Sequence, residues 1–214
     1  VRSRRQRQMC IRDRCGPGTF ALPLAQQCRA VYALDYSEGM LAQLSKFQQQ
    51  MNLSNITPLH YSWTDDWAEV PAVDVVLASR STLVDDLDNM IEKLCTKAKK
   101  RVYLTSVTQP HFLDEAIFEA IGRDDCGFPT YIYLVNRLYQ KGILANVNFI
   151  ESDSGRFLGE SFEDLLASVE FSLGALTEEE KEKLAAFYQA KMEKGEPIKH
   201  GQTKWALIWW EVSA

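Results

Sequence analysis

The run Cys15-Gly16-Pro17-Gly18, with Asp35 lying 17 residues after Gly18, is the part of this sequence best suited to chemistry. A glycine turn between a strand and a helix lets backbone approach a ligand closely. The helix start behind it offers unpaired N–H groups to anionic atoms. An acidic side chain at the tip of the next strand is placed to accept hydrogen bonds from both ribose hydroxyls. Residues of these types at this spacing would hold a nucleoside-containing cofactor. The plainer alternative is a Gly/Pro turn beside an exposed aspartate.

The elements that must position these residues alternate regularly. Thr19–Cys28 predicts a short helix, with Pro23 tolerated near its first turn. Ala30–Leu34 is a short apolar run ending at Asp35, as in a buried strand. Ser37–Met51 carries Met40, Leu41, Leu44 and Phe47 at helical spacing, with Ser37 as N-cap. Ile56–Tyr61 is a weaker strand, and Val73–Ala78 is β-branched and nearly all apolar, like a parallel strand covered on both faces. An amphipathic helix over Asp85–Cys95 leads to a strand at Arg101–Leu104. Connections of this length suit helices crossing over a parallel sheet, so the expected fold is α/β, a Rossmann-like doubly wound, mostly parallel sheet. The second half adds helical stretches near 110–121 and 130–141 and a strand at Asn146–Ile150. A helix begins at Ser161 with Asp164, another at a capping box of Thr177 with Glu180, and Lys204–Val212 closes the chain as a strand.

Composition narrows the class. With 214 residues, 46% hydrophobic and 25% charged, the chain is neither disordered, collagen-like nor coiled coil as a whole. No apolar run approaches the roughly 20 residues that span a bilayer. The cysteines Cys10, Cys15, Cys28, Cys95 and Cys126 are scattered, without a C-x-x-C pair, which disfavours disulfides and structural zinc and fits a cytoplasmic location. Residues 1–14 hold six Arg and one Asp; the remaining residues hold 18 basic and 28 acidic side chains, a net of −10. An acidic body of this kind disfavours bulk nucleic acid as a partner. The string QMCIRDR resembles a translated sequencing-adapter artefact, and residues 1–14 are expected to be a non-native or disordered basic segment. The rest is expected to form a single domain over 15–214, with helical cap elements at about 107–145 and 152–200.

The run Ala33-Leu34-Asp35-Tyr36-Ser37-Glu38-Gly39-Met40-Leu41 resembles the acidic loop of class I S-adenosylmethionine-dependent methyltransferases. That family's first motif has the form GCGPG, and Cys15–Gly18 matches its last four positions. The resemblance covers residues 15–214, strongly through about 106. It implies S-adenosyl-L-methionine as cofactor, with Cys15, Gly16, Pro17 and Gly18 in the glycine turn and Asp35 on the ribose. Tyr36, Ser37 and Met40 pack near the adenine. After the third strand it implies Trp63, Thr64 and Asp65 at the adenine edge: Trp63 stands where an Asp is common, so Asp65 supplies the acid and Trp63 either stacks or packs in the rim. Ser79 falls beside the methionine part, and Arg80 is placed to pair a carboxylate of cofactor or substrate, or to form a surface salt bridge. The family's first strand ends in an acidic residue and a first glycine, where this chain has Arg12 and Arg14. Restoring an apolar strand ending in Asp-x-Gly is therefore expected to improve cofactor binding.

Methyl transfer from a sulfonium is an in-line displacement that rests on positioning, with a base needed only for a protonated acceptor. His111, after the fifth strand, is the base candidate, and Tyr131 and Tyr133 are expected to face the substrate. No Asn-Pro-Pro-aromatic motif follows the fourth strand, which with the acidic body points to a small-molecule acceptor. No metal-ligand spacing is visible. Two rivals remain: an NAD(P)-dependent oxidoreductase, since Gly16-x-Gly18-x-x-Ala21 also fits the dinucleotide fingerprint, and a non-catalytic protein retaining the fold.

Overall fold

The structure, a computed structural model, describes residues 15–123, 127–151, 161–196, 198 and 204–212, together with the backbone of 8–9. Its strands are β1 (Gln8–Met9), β2 (Ala30–Asp35), β3 (Ile56–His60), β4 (Val73–Ser79), β5 (Ala98–Val107), β6 (Asn146–Glu151) and β7 (Lys204–Glu211). Its helices are α1 (Ala21–Ala25), α2 (Glu38–Gln50), α3 (Leu87–Lys97), α4 (Glu115–Ile121), α5 (Tyr131–Gln140), α6 (Phe162–Leu173) and α7 (Glu178–Glu193). The seven strands form one sheet in the order β3-β2-β1-β4-β5-β7-β6. The pairs β2–β3, β1–β2, β1–β4 and β4–β5 are all parallel. This is the expected doubly wound α/β architecture.

The chain moves outward from β1 to β2 and β3, then returns to lay β4 on the other side of β1. In sheets with such a reversal, ligands bind outside the carboxyl ends of the strands. β3 lies at one edge, which is why it tolerates Pro58: an edge residue can lack a ladder N–H. Ser37 caps α2 by accepting from Met40 N, as its type and position predict. Thr177 and Glu180 complete both halves of a capping box on α7. Two elements depart from the sequence-based expectations. α1 is only five residues long and has no side-chain cap. A central strand at Gln8–Met9 pairs with both β2 and β4 in the segment expected to contribute none. Residues 10–14, with Arg12 and Arg14, lie outside the described residues.

The chain divides into two compact units: Val1–Ser106 with Ile132–Asn148 and Ala206–Ala214, and Val107–Tyr131 with Phe149–Trp205. In the first, Cys15, Ala21, Val31, Ala33, Leu41 and Leu44 pack where α1, α2 and β2 meet. In the second, Ile117, Phe118 and Ile121 of α4 pack with Leu165, Val169 and Leu184 of α6 and α7. Arg123 adds a two-pronged ion pair to Glu180 there, at 2.8 and 2.9 Å, which holds the Glu180 carboxyl down at about 2. Among the described residues, no helix is long and apolar enough to cross a membrane.

Candidate active site

Asp35 ends β2 with its carboxylate buried. One oxygen accepts from Gly16 N at 2.8 Å and the other from Ser37 N at 2.9 Å. The glycine turn and the strand tip are thus joined directly, with no side chain between them. The turn is itself anchored: Cys15 N donates to Leu34 O at 3.0 Å, Gly18 N to Cys15 O at 3.2 Å, and Leu22 N to Gly18 O at 3.0 Å.

The two glycines are needed for different reasons. Both have left-handed φ, +56° at Gly16 and +102° at Gly18. A Cβ on Gly18 would come within 2.6 Å of Leu44 Cδ1 and 2.9 Å of Leu22 Cγ, so this position admits only a hydrogen. A Cβ on Gly16 would meet nothing within 4 Å. Gly16 therefore faces open space, the arrangement required where backbone must approach a ligand.

These observations test whether a nucleoside fits. A carboxylate offers about four acceptor positions, and among the described residues Asp35 uses two of them, one per oxygen. The remaining two suit the two hydroxyls of a ribose. Tyr36 and Met40 are exposed beside it and offer apolar surface to a base.

The loop after β3 is fixed more tightly than its sequence suggests. Trp63 stacks on Trp67 with ring centroids 5.0 Å apart, and its indole N–H donates to Ser81 O at 3.0 Å. Lys93 Nζ holds the backbone oxygens of Trp63 and Asp65, both at 2.6 Å. Trp63 thus ties the β3 loop to the β4 loop, with one indole face covered. The Asp65 carboxylate accepts from Ser62 N at 2.7 Å, and that bond holds it below its ordinary value. Asp65 is exposed and closes its own turn, beside Thr64, whose hydroxyl lies 2.8 Å from that of Ser62.

After β4, Ser79 and Ser81 are buried and flank an exposed Arg80 with left-handed φ of +58°. The register pairs Ser79 with Thr105 of β5. Thr105 Oγ1 accepts from Arg80 N at 3.0 Å and donates to Ser79 Oγ at 3.2 Å. Thr105 was not singled out by the sequence; its only signal is a hydroxyl at the end of the apolar run Val102–Leu104. Trp67 and Lys93 were missed as well. The structure brings Gly16, Gly18, Asp35, Ser37, Trp63, Asp65, Ser79 and Arg80 to the carboxyl ends of β2, β3 and β4 or to the glycine turn.

The remaining predicted residues are placed differently. Tyr133 is largely exposed on α5. His111 and Tyr131 belong to the second unit. There the His111 ring packs on Phe118 with centroids 4.1 Å apart, and Tyr131 meets Phe149 edge-on. Among the described residues, no group of three or more His, Cys, Asp or Glu side chains gathers as metal ligands.

A domain-family model described as "Methyltransferase domain" matches residues 14–102, the stretch that holds the glycine turn, Asp35 and the loops after β3 and β4. Over that stretch the chain carries a methyltransferase domain. The chain is 72% identical over 198 residues to an uncharacterised protein of Haemophilus influenzae, spanning 92% of this chain and 74% of that one. Its fold is similar to that of a putative methyltransferase from Bacillus halodurans, with TM-score 0.62 and 11% identity over 98% of this chain and 94% of that one. It is also similar in fold to magnesium protoporphyrin IX methyltransferase from Synechocystis with bound S-adenosylhomocysteine, with TM-score 0.55 and 21% identity over 70% of this chain and 69% of that one. None of these similarities favours the oxidoreductase reading.

Proposed function

We propose that the methyltransferase acts on a small-molecule acceptor, with Asp35 and the Gly16 turn holding the cofactor's nucleoside end. The observation that carries this is the pair of bonds from Gly16 N and Ser37 N, which fix both Asp35 oxygens and leave two acceptor positions. When bound, S-adenosylmethionine supplies an electrophilic methyl group on a sulfonium whose departure as a thioether needs no acid. The chain's own contribution is therefore positioning. Asp35 orients the ribose, Gly16 lets backbone close on the ligand, and Trp63 clamps the β3 loop to the β4 loop through Ser81. Tyr36, Ser37 and Met40 line the base, with Cys15, Pro17 and Gly18 shaping the turn and Ser79 lying toward the methionine end.

For an acceptor that carries a proton, His111 is the base we nominate, and Tyr131 and Tyr133 are the aromatic residues we nominate to line the acceptor. The acidic body supports a small molecule over nucleic acid, as does the likeness to an enzyme named for magnesium protoporphyrin IX. The scattered cysteines, without a C-x-x-C pair, support a reducing, cytoplasmic setting. The test is a thermal shift with S-adenosylhomocysteine and with NADH. S-Adenosylhomocysteine is expected to raise the melting temperature and NADH to leave it unchanged. Protection by NADH alone would overturn the reading.

A further inference from the structure

Two backbone N–H groups align the Asp35 carboxylate, and different elements hold them in place. Gly16 N belongs to the glycine turn, which is tied to β2 through Cys15 N on Leu34 O at 3.0 Å. Ser37 N sits two residues beyond Asp35, where the chain leaves β2 for α2. A bond from an aspartate oxygen to the N–H two residues on is a local turn, and its geometry depends on how the intervening peptides are turned.

The peptide that carries Ser37 N is also bonded at its other end. His60 Nε2 lies 2.8 Å from Tyr36 O. A carbonyl oxygen can only accept, so this ring nitrogen carries a proton and donates. Tyr36 C=O and Ser37 N–H belong to one planar trans peptide group and point in opposite directions. Fixing the carbonyl on His60 therefore fixes the direction of the N–H that meets Asp35 at 2.9 Å. Strand register brings the histidine there. β2 and β3 pair Asp35 with His60, and Tyr61 N donates to Asp35 O at 3.3 Å. One peptide further along β2, the His60 side chain supplies the donor instead of backbone. The ring's other nitrogen, Nδ1, lies 3.7 Å from Glu38 Oε1, so the imidazole stands between the strand tip and the first turn of α2.

We propose that His60 is a positioning residue for cofactor binding. Through the Tyr36–Ser37 peptide it aims the N–H that sets the orientation of Asp35, and so presents the carboxylate's remaining acceptor positions to the two ribose hydroxyls. It acts through that peptide rather than by contact with the cofactor. The proposal rests on the reading of Asp35 given above and adds the residue that aligns it.

The test is calorimetry of S-adenosylhomocysteine and its 2′,3′-dideoxy analogue on the full chain, in wild type, His60→Leu and His60→Gln. Leucine removes the donor, whereas glutamine keeps an N–H of similar reach. The His60 side chain is 53% exposed, so neither change opens the core. His60→Leu is expected to bind S-adenosylhomocysteine about fivefold more weakly, the worth of one ordinary hydrogen bond, and the dideoxy analogue with unchanged affinity. Selectivity for the hydroxyls thus falls about fivefold, and His60→Gln restores most of it. In the ligand-free protein, the Ser37 amide is expected to exchange its hydrogen faster in His60→Leu than in wild type, with the Gly16 amide unchanged. Wild type showing no preference for the hydroxyls would overturn the reading of Asp35 and this proposal with it. A wild-type preference that His60→Leu keeps in full would leave that reading standing and overturn the role of His60. Equal weakening of both ligands in His60→Leu, without recovery in His60→Gln, would make His60 a purely structural residue and overturn the proposal as well.

Discussion

Replacing each glycine of the turn by alanine separates what the turn does for folding from what it does for binding. At Gly18 the new methyl would stand 2.6 Å from Leu44 Cδ1 and 2.9 Å from Leu22 Cγ, on a backbone with φ of +102°. Holding an L-residue in such a region costs on the order of 1–3 kcal/mol, and overpacking a filled core costs about 1–3 kcal/mol more. We expect Gly18→Ala to lose about 4 kcal/mol in all, a large part of the roughly 5–15 kcal/mol that stabilises a typical protein. At a urea dependence of about 2 kcal/mol per molar, its midpoint falls by about 2 M. Gly16→Ala differs because its methyl meets nothing within 4 Å and its φ is +56°. The left-handed backbone alone costs roughly 1–2 kcal/mol there, which moves the midpoint by about 0.5–1 M. That methyl enters the open space in front of the turn, so S-adenosylhomocysteine affinity is expected to fall at least about tenfold, equivalent to about 1.4 kcal/mol. Urea titration and calorimetry on both variants decide the matter. Equal destabilisation of the two, with cofactor affinity unchanged in Gly16→Ala, would refute the reasoning.

Other consequences are open to measurement. Glu180 has an ordinary value of 4.5 and is held at about 2 by Arg123 and Thr177. The unfolded chain therefore takes up this proton first, and the stability the pair contributes is complete above about pH 4.5 and lost as pH falls toward 2. Urea midpoints between pH 6 and pH 2 should decline less steeply in Glu180→Gln than in wild type; parallel curves would count against the ion pair. Trp63→Phe removes the bond to Ser81 O and should cost about 0.5–1.5 kcal/mol by urea titration. It should also weaken S-adenosylhomocysteine binding, because the β3 and β4 loops are then no longer tied. Unchanged affinity would confine Trp63 to packing.

Much of this molecule could be read from residue types. The β-branched run Val73–Ala78 could hardly be other than a covered parallel strand, and it is β4 nearly to the residue. Ser37 and the Thr177/Glu180 pair mark helix starts because their side chains satisfy N–H groups the helix leaves open. The link between Gly16 and Asp35 followed from spacing, since a turn, a helix and a strand bring the two together. What stayed hidden depends on register. Thr105 meets Arg80 only because β4 and β5 pair Ser79 with Thr105, a relation 26 residues apart in the chain. The left-handed backbone at Arg80 has no signature in residue type, since arginine gives no reason to expect it. Gln8–Met9 lies among arginines and lacks the apolar character of a central strand, so its pairing with β2 and β4 could not be anticipated. Trp63 looked free to stack on a base because nothing local announces that Trp67 covers one face of its indole.

In the proposed function the buried Asp35 carboxylate, aligned by Gly16 and Ser37, binds the two ribose hydroxyls. Calorimetry of S-adenosylhomocysteine and its 2′,3′-dideoxy analogue, on wild type and on Asp35→Ala, measures that directly. Two hydrogen bonds to a charged group contribute at least about 3 kcal/mol, so wild type should prefer the natural ligand by on the order of 100-fold. Asp35→Ala should bind both ligands equally and weakly. If the variant keeps the wild-type preference for the hydroxyls, Asp35 does not hold the ribose and the account fails.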